Sequence, residues 1–594
     1  MADYVAPGRE IGFVVNELLD YSYINSLDDF TDATPDLTAA ILDEAGKFAA
    51  QVLGPLNRTG DEQGTRQDDD KVISADGFAE AYQMFVDNQW LSLAQNPVYG
   101  GQGLPFLIHL AACEMWHSTC TSFALCPMLT AGAIDTMSAH ASEQLKQIYL
   151  PNMVSGKWTG TMNLTESHAG SDLSTLKTRA TPEGDHYLIR GQKTFITWGE
   201  HDMAENIIHI VLAPLVDAPP GNKGLSLFLV PKYLVNEDGS LSDRNDLRVV
   251  STEGKLGIHA SPTCVMSFGE NEGAVGYMIG EPGDGLACMF TLMNHARVEV
   301  GLQGVAIAER AYQDALSYAR ERIQGRNVET GNIATIIQHA DVQRMLMHMK
   351  SMTEAMRALA YDGGFYYDLR GHEGDVEKKR QADERFALLT PVIKAWSTEL
   401  VNEVTSMGIQ VHGGMGFIEE TGVAQHYRDA RITSIYEGTT GIQANDLVGR
   451  KLLRDQGAAL ESYMEEISKT VTILNNAEDP ELKRIAKQLK DALENLASAS
   501  RFIVGNAKGS QKFVGAVSYN FLMMMGYVAG GWYMARSAGL AADKMNEGSD
   551  NDFYRKKMIS VNFYFSQLLP RHLGYRDAVI QGAELGVSLT EESF

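Results

Sequence analysis

The chain has 594 residues, of which 44% are hydrophobic and 21% charged, so its composition is that of a globular protein and excludes a disordered or fibrous chain. The formal net charge is −26. A charge of this size repels nucleic acid and anionic membrane surfaces, although it is compatible with a local basic pocket for a phosphorylated ligand. We therefore expect no nucleic-acid partner.

The N-terminal sequence and the cysteines favour a reducing compartment. MADYVAPGRE lacks the basic region and apolar run of a secretory signal, so we expect a cytoplasmic protein. The number of cysteines is odd, and they form no C-x-x-C motif. We interpret them as reduced thiols in the core. They are Cys113, Cys120, Cys126, Cys264 and Cys288.

Helical and β-rich patterns alternate along the chain and predict five segments. These are an N-terminal extension (1–35), a helical segment (36–157), a β-rich segment (158–280), a second helical segment (281–450) and a further helical segment (451–594). Within the third segment, HYLIRGQKTFIT (186–197) predicts two strands with a turn near Gly191. Apolar spacing predicts long helices near 290–322 and 385–411.

One stretch is long enough to cross a bilayer. Between Lys512 and Arg536 lie 23 uncharged residues. The stretch contains Ser518, Asn520 and four glycines, and the rest of the chain offers no second candidate. We therefore predict a buried or interface helix and no stable membrane insertion.

Several common catalytic signatures are absent from the sequence. No G-x-G-x-x-G follows a strand, and neither a Walker A motif nor a G-x-S-x-G elbow is present. Glu114 and His117 form a single E-x-x-H, whereas a di-iron bundle needs two such motifs and two further glutamates. We interpret this pair as partly exposed polar residues and predict no metal site.

The sequence MNLTESHAGSDLS (162–174) concentrates small and hydroxyl residues at the change from helix to strand. Thr165, Ser171 and nearby backbone N–H groups around Gly170 could hydrogen-bond a planar heterocycle or a phosphate. A serine-type turn followed by a capped segment accounts for the same residues. The chemistry of the segment alone does not decide between these readings.

A second unusual sequence, IQVHGGMGF (409–417), closes a long helix with paired glycines. Gly413 and Gly414 suit a helix C-cap, because glycine accepts left-handed conformations. They would equally allow the backbone to approach a pyrophosphate closely. Taken alone, the segment favours the C-cap.

A third sequence, RITSIYEGTTGIQ (431–443), places Glu437 after an apolar and aromatic run. A carboxylate beside Ile435 and Tyr436 would be partly desolvated, which raises its pKa and makes it a better acceptor for the proton of a weak carbon acid. A glutamate in the first turn of a helix, stabilised by the helix dipole, is the structural alternative. Spacing does not separate the two.

Together these segments resemble the acyl-CoA dehydrogenase family. The similarity spans roughly residues 40–450 in the order of the family motifs, and the segments beyond it are similar to those of the larger bacterial members. The matching segments are YGGQG (99–103), MNLTESHAGSD (162–172), KTFITWG (193–199), KLGIHAS (255–261), ARVEVGLQGVA (296–306), ARERIQGR (319–326), QVHGGMGF (410–417) and IYEGTTGIQ (435–443).

The resemblance implies a mostly α fold with a central β-barrel: an α-helical domain (36–157), a β-barrel domain (158–280) and a four-helix bundle (281–450), followed here by an additional C-terminal helical domain (451–594). It implies FAD held between barrel and bundle, in a homodimer or dimer of dimers. By matching position, the implied FAD contacts are Met162, Leu164, Thr165, Gly170, Ser171, Phe195, Ile196, Thr197, Arg322, Gln410, Gly413, Gly414 and Thr439. Relatives often have Trp where this chain has Phe195, and the usual Phe of the ERxxF motif is missing from ERIQG.

The resemblance also implies the reaction. Glu437 would take the α-proton of an acyl-CoA while flavin N5 takes the β-hydride, giving a 2-enoyl-CoA. The implied substrate contacts are Ser171, Arg297, Tyr436 and Gly438. Some branches of the family place the base just before the arginine of the ARVEVG segment, but that position is Ala296 here, which leaves Glu299 as the nearest other carboxylate.

Within the family, the chain is most similar to enzymes that act on a sulfur-containing short acyl chain, so the expected substrate is 3-methylmercaptopropionyl-CoA. Electron-transferring flavoprotein is the expected electron acceptor. Three alternatives stay open: a straight-chain short- or medium-chain dehydrogenase, an acyl-CoA oxidase, and a non-catalytic binding or assembly protein with the same fold.

Overall fold

The structure is a computed structural model that describes residues 2–549 and 551–594, without the side chain of Asn551. Its α-helices are α1 Gly8–Gly12, α2 Tyr21–Asn25, α3 Pro35–Phe48, α4 Gly54–Gln63, α5 Phe78–Asp87, α6 Phe106–His140, α7 Glu143–Val154, α8 Gly285–Glu321, α9 Ala340–His372, α10 Val376–His412, α11 Val423–Arg431, α12 Thr440–Asn445, α13 Ala458–Asn476, α14 Pro480–Asn506, α15 Gln511–Asn546, α16 Asn551–Phe563, α17 Arg571–Ile580 and α18 Ala583–Ser588.

The strands are concentrated between α7 and α8. They are β1 Arg66–Asp68, β2 Lys71–Ile73, β3 Trp158–Asn163, β4 Arg179–Glu183, β5 His186–Thr197, β6 Asn206–Pro214, β7 Leu225–Pro231, β8 Tyr233–Val235, β9 Leu241–Arg244, β10 Leu247–Thr252, β11 Thr263–Phe268, β12 Ala274–Ile279, β13 Ile323–Arg326 and β14 Ile333–Thr335. The order of elements is α, then β, then α, as the sequence predicts.

Contacts divide the chain into two compact units. The barrel unit is Ile41–Glu299, and the bundle unit comprises Met1–Ala40 and Val300–Phe594. In the barrel unit the main sheet has the strand order β10-β11-β5-β12-β7-β6-β3, with β4 paired to β5. Its pairs are antiparallel except for β3 and β6, which run parallel. Fully buried apolar side chains, among them Ile189, Val211 and Phe228, fill its interior.

The predicted turn near Gly191 is wrong, because β5 runs through this residue without a break. Gly191 has φ +148, and a β-carbon built there would lie 2.7 Å from the Cα of Thr178. Glycine is needed here for the close approach of a second chain segment, which sequence pattern alone cannot distinguish from a turn.

The long helix α6 is the buried helix of the barrel unit, with a kink at Cys120 (φ −152, ψ 84). All five cysteines are free and buried, which confirms their interpretation as core thiols. The interpretation of Glu114 and His117 as partly exposed is wrong: their exposed fractions are 0% and 2%. Both lie on the first half of α6, whose side chains are buried on every face.

In the bundle unit, α15 is long and apolar enough to cross a membrane, but 78% of its most apolar window is buried inside the protein. This confirms the predicted buried helix. Glycines let α15 pack directly on Trp396 of α10, because a β-carbon at Gly526 would lie 2.2 Å from the indole Cγ. The C-terminal helices therefore share a core with the bundle helices.

A buried arginine also joins the C-terminal helices to the bundle helices. Arg385 of α10 pairs with Asp362 at 3.1 Å and with Glu466 at 2.7 Å. Its guanidinium also lies over the rings of Tyr463 and Trp532, with its carbon 4.4 and 4.9 Å from their centroids. A desolvated cation held by carboxylates and aromatic faces fixes α13 and α15 against α9 and α10.

Replacement of Gly526 by alanine tests this packing. We expect Gly526→Ala to lower the free energy of unfolding by about 1–3 kcal/mol, because the added methyl group overlaps the Trp396 ring. Gly515→Ala is the matched control: it lies on the same helix with nothing within 4 Å of the added carbon, and we expect it to be neutral or stabilising by up to about 1 kcal/mol. Equal effects in urea unfolding would contradict the packing argument.

Candidate active site

The residues proposed for the site fall in both units, and each half is described by itself. In the barrel unit they are Met162, Leu164, Thr165, Gly170, Ser171, Phe195, Ile196, Thr197 and Arg297. In the bundle unit they are Arg322, Gln410, Gly413, Gly414, Tyr436, Glu437, Gly438 and Thr439.

In the barrel unit, the loop that follows β3 is fastened to β5. The backbone N–H of Thr194 donates to the carbonyl of Thr165 at 2.9 Å. The Lys193 ammonium donates to the carbonyl of Leu164 at 2.9 Å and to Glu166 Oε1 at 3.0 Å. The structure thus brings the segments at 162–174 and 193–199 side by side.

Glu166 organises the far end of this loop. Its carboxylate accepts backbone N–H groups of Lys177 at 2.7 Å and Thr178 at 3.0 Å, and it pairs with Lys193. Glu166 and Lys193 have exposed fractions of only 5% and 0%. Burial alone would raise the pKa of Glu166, but the Lys193 charge and the hydrogen bonds outweigh it, so the pKa lies below the ordinary value.

A β-bulge turns Phe195 away from the core. The pairing of β5 with β11 shifts between Cys264 and Met266, and Phe195 lies at that shift with φ +60. Its ring is 61% exposed, whereas the neighbouring Ile196 is 2% exposed and belongs to the barrel core. Bulges of this kind redirect side chains beside active sites. Ile196 therefore has only its backbone available to a ligand.

The other residues of this half are accessible to different degrees. Met162, Thr165 and Thr197 are half-buried, and Gly170 and Ser171 are exposed. A β-carbon at Gly170 would meet nothing within 4 Å. An exposed aromatic ring near hydroxyl groups and an open glycine suits a flat, largely uncharged heterocycle such as the isoalloxazine ring of a flavin.

Arg297 lies on α8 and is 5% exposed. Its guanidinium carbon is 5.7 Å from the centroid of the Phe290 ring. Glu299, two residues on, is fully buried, and its Oε1 is 2.7 Å from His295 Nε2. Although burial would raise the pKa of Glu299, the charge of His295 keeps it below the ordinary value, so Glu299 is a poor proton acceptor.

In the bundle unit, Glu437 lies in a tight turn between α11 and α12. Its backbone has φ +56, a left-handed conformation that is uncommon outside glycine, and Gly438 follows with φ +86. Such a conformation costs an L-residue about 1–2 kcal/mol and is most often retained at functional sites. The side chain is half-buried.

Two buried side chains donate hydrogen bonds to the backbone of this turn. Lys394 Nζ donates to the carbonyl of Gly438 at 2.8 Å, and Gln443 Nε2 donates to the carbonyl of Glu437 at 3.0 Å. Both donors are fully buried. Thr439 caps α12 by accepting the N–H of Ile442 at 3.3 Å. Three hydrogen bonds therefore fix the backbone of the turn and the start of α12.

Tyr436 is tied to the same region by its hydroxyl group, which donates to Gln303 Oε1. Burial, and then the nearby charge of Glu437, raise the pKa of Tyr436 above the ordinary value. The phenol is thus neutral at physiological pH. Tyr436 therefore places a neutral phenol next to Glu437 in the chain.

The remaining residues of this half are exposed. Gly413 ends α10 with φ +59, and neither it nor Gly414 would bring a β-carbon within 4 Å of another group. Gln410 is exposed on the last turn of α10, and Arg322 is exposed directly after α8. An accessible arginine and open glycines fit the phosphates and the adenosine of a dinucleotide.

Sequence reasoning missed the residues that hold the site in place, namely Glu166, Lys193, Lys394 and Gln443. One signal was available for Lys394. It stands alone in the apolar sequence PVIKAW (391–396) on a long helix, and a buried lysine needs an acceptor. Nothing in the sequence identifies that acceptor as the carbonyl beside Glu437.

Replacement of Glu166 tests the buried pair. We expect Glu166→Gln to lower the free energy of unfolding at pH 7 by about 3–5 kcal/mol, because it leaves the Lys193 charge buried without its partner. Since the pKa of Glu166 is lowered in the folded state, its contribution is present above the ordinary value of about 4.3 and is lost as the pH falls through the folded pKa.

The difference between wild type and Glu166→Gln should therefore shrink below about pH 4 in urea unfolding. Glu183→Gln, at an exposed carboxylate on β4, serves as control and should have little effect at any pH. A difference that does not depend on pH would contradict the ionic role of Glu166.

Comparisons with known proteins show the family of the chain. Models of the acyl-CoA dehydrogenase N-terminal, middle and C-terminal domains match residues 36–157, 161–270 and 283–452. A model described as acetyl-CoA dehydrogenase C-terminal like matches residues 463–589. Together these matches cover most of the chain.

Two curated relatives are similar over almost their whole length. The 3-methylmercaptopropionyl-CoA dehydrogenase of Ruegeria pomeroyi is 46% identical over 95% of this chain and 96% of its own. A butyryl-CoA dehydrogenase of Syntrophomonas wolfei is 33% identical over 100% of this chain and 99% of its own.

Among solved structures, Caenorhabditis elegans ACDH-11 in complex with C11-CoA matches with a TM-score of 0.77 and 21% identity, over 95% of this chain and 92% of that one. This likeness shows the fold, with the C-terminal extension included. The chain belongs to the acyl-CoA dehydrogenase family and is an FAD-dependent oxidoreductase.

Proposed function

We propose that the protein dehydrogenates 3-methylmercaptopropionyl-CoA between its α- and β-carbons, with Glu437 as the base. The observation that carries the catalytic assignment is the turn at Glu437, where a strained backbone is held by Lys394 and Gln443. A backbone fixed in this way restricts the positions that the Glu437 carboxylate can take, which favours proton transfer from an oriented substrate.

FAD suits the residues of both halves. Thr165, Thr197 and the exposed Phe195 ring would contact the isoalloxazine, with Met162, Leu164, Gly170, Ser171 and the Ile196 backbone around them. Arg322, Gln410, Gly413, Gly414 and Thr439 would contact the rest of the dinucleotide, Arg322 at the pyrophosphate. When bound, FAD supplies the acceptor for the hydride that leaves the β-carbon.

The chain itself supplies the proton chemistry. The thioester carbonyl acidifies the α-hydrogen, and Glu437 takes that proton. A hydrogen bond from the Glu437 backbone N–H to the thioester oxygen would stabilise the developing enolate. We assign Arg297, Ser171, Tyr436 and Gly438 to the acyl-CoA site. Tyr436 would stay neutral beside Glu437, because burial raises the pKa of its phenol.

The similarity to the Ruegeria enzyme, 46% over nearly the full length, supports the sulfur-containing substrate. The butyryl-CoA dehydrogenase, at 33%, makes a straight short chain the second candidate. Both substrates are short acyl thioesters, so the two candidates share the chemistry at the α- and β-carbons and differ only in what contacts the end of the acyl chain.

We also propose a cytoplasmic homodimer or dimer of dimers that passes electrons to electron-transferring flavoprotein. The names of the curated relatives, dehydrogenases rather than oxidases, favour a protein acceptor over oxygen. Exposed apolar side chains support self-association: Phe417 beside the glycine loop is 83% exposed, and Val328 and Ile333 in the β13–β14 hairpin are 94% and 69% exposed.

Anaerobic mixing with the substrate tests the base. We expect 3-methylmercaptopropionyl-CoA to bleach the flavin absorbance of the wild type, and Glu437→Gln to slow the bleaching by about 100-fold or more while keeping its FAD. Glu420→Gln, an exposed carboxylate in the preceding loop, should bleach at the wild-type rate. Full activity of Glu437→Gln would contradict the assignment.

A matched pair of substrates tests the acyl preference. Pentanoyl-CoA differs from 3-methylmercaptopropionyl-CoA only by a methylene group in place of sulfur. We expect kcat/KM to favour the sulfur compound by about tenfold, the discrimination that one buried group supplies. If butyryl- or octanoyl-CoA reacts faster, the sulfur preference is wrong although the dehydrogenase activity stands.

A further inference from the structure

A second cluster of reactive side chains lies inside the barrel unit, away from the residues proposed for the flavin. His109, Cys113 and His117 follow one another at intervals of four residues on the first half of α6, which places them on one face of that helix. Glu299 of α8 meets this face. The exposed fractions of these four residues are between 0% and 4%.

The distances within the cluster are those of a metal site. Cys113 Sγ is 3.3 Å from His109 Nε2, and His109 Nε2 is 3.4 Å from Glu299 Oε1. A tetrahedral zinc ion with ordinary bond lengths holds its nitrogen and sulfur ligands about 3.5 Å apart, and its nitrogen and oxygen ligands about 3.4 Å apart. The three ligand atoms all lie within 4.8 Å of one another.

Several polar atoms of the cluster have no hydrogen-bond partner among the described residues. They are His109 Nδ1, both ring nitrogens of His117, and Glu299 Oε2. Buried polar groups are almost always partnered, so such a group points to a bound ion or an ordered water.

A neighbouring network orients the carboxylate. His295 Nε2 is 2.7 Å from Glu299 Oε1, and His295 Nδ1 is 2.8 Å from Asp135 Oδ2. Metal-binding carboxylates are usually held by second groups in this way. A carboxylate oxygen has two lone pairs, so Oε1 can accept a hydrogen bond from His295 and still bind an ion.

We propose that His109, Cys113 and Glu299 bind one zinc ion that joins α6 to α8. A set of imidazole, thiolate and carboxylate ligands suits zinc, and three ligands on two helices would fix their packing. Cys113 binds as the thiolate, so its proton passes to solvent when zinc enters. Three protein ligands leave the fourth tetrahedral position to a water molecule. We assign the ion a structural role because all three ligands are buried and none of them is proposed to act on the substrate.

Metal analysis of the tag-free holoenzyme, produced with added zinc and dialysed, tests the proposal. We expect about one zinc per chain in the wild type and below about one tenth of that in Cys113→Ser and in Glu299→Gln. Cys126→Ser is the matched control, a buried cysteine on the same helix, and should keep its zinc. Bound FAD, measured in every sample, reports that each variant is folded.

Cobalt gives a second readout. The cobalt-substituted wild type should show a sulfur-to-cobalt charge-transfer band, and Cys113→Ser should lose it. If Cys113→Ser does not fold, the proposal is tested by two other measurements. These are the zinc content of Glu299→Gln, which keeps the size of the side chain, and the cobalt spectrum of the wild type. A wild type without zinc, a cobalt spectrum without the band, or zinc retained in Cys113→Ser would each overturn the site.

Discussion

The backbone of the turn at Glu437 is the constraint on which the catalytic half depends. Its left-handed conformation costs about 1–2 kcal/mol and would relax in a free loop. Lys394 donates a charge-assisted hydrogen bond to the next carbonyl, and such bonds contribute about 1.5–3 kcal/mol. The bond from Gln443 adds to this. The two hydrogen bonds therefore outweigh the strain and fix the backbone from which the Glu437 side chain extends.

In the barrel unit, the loop after β3 is fixed in the same manner. Lys193, fully buried like Lys394, donates to the carbonyl of Leu164 in the loop after β3. Glu166 balances its charge and holds the far end of that loop. Beside them, a bulge in β5 exposes the ring of Phe195. In both units a buried lysine donates to a backbone carbonyl of a loop, and side chains of that loop or of its neighbouring strand are the ones proposed to contact the ligand.

The alternation of helical and β-rich segments could be predicted from the sequence, since it follows from periodicity, and the motif at Glu437 is the basis for proposing this residue as the base. The hydrogen bonds that hold the two loops could not be predicted from the sequence. Lys193 reaches a carbonyl 29 residues away and Lys394 one 44 residues away, and such contacts between side chain and backbone leave no periodic pattern. The burial of Glu114 was missed for a related reason: α6 is enclosed on every face, and a helix without an exposed face has no amphipathic signal.

The most direct measurement of the role of Glu437 is the entry of solvent deuterium at the α-carbon of methylthioacetyl-CoA. This thioester has sulfur in the β position and no β-hydrogen, so proton removal is observed apart from oxidation. The wild type and Glu420→Gln should exchange the α-hydrogens for deuterium. In Glu437→Gln this exchange should be slower by a factor of about 100 or more. Exchange at the wild-type rate in Glu437→Gln would show that another group takes the proton.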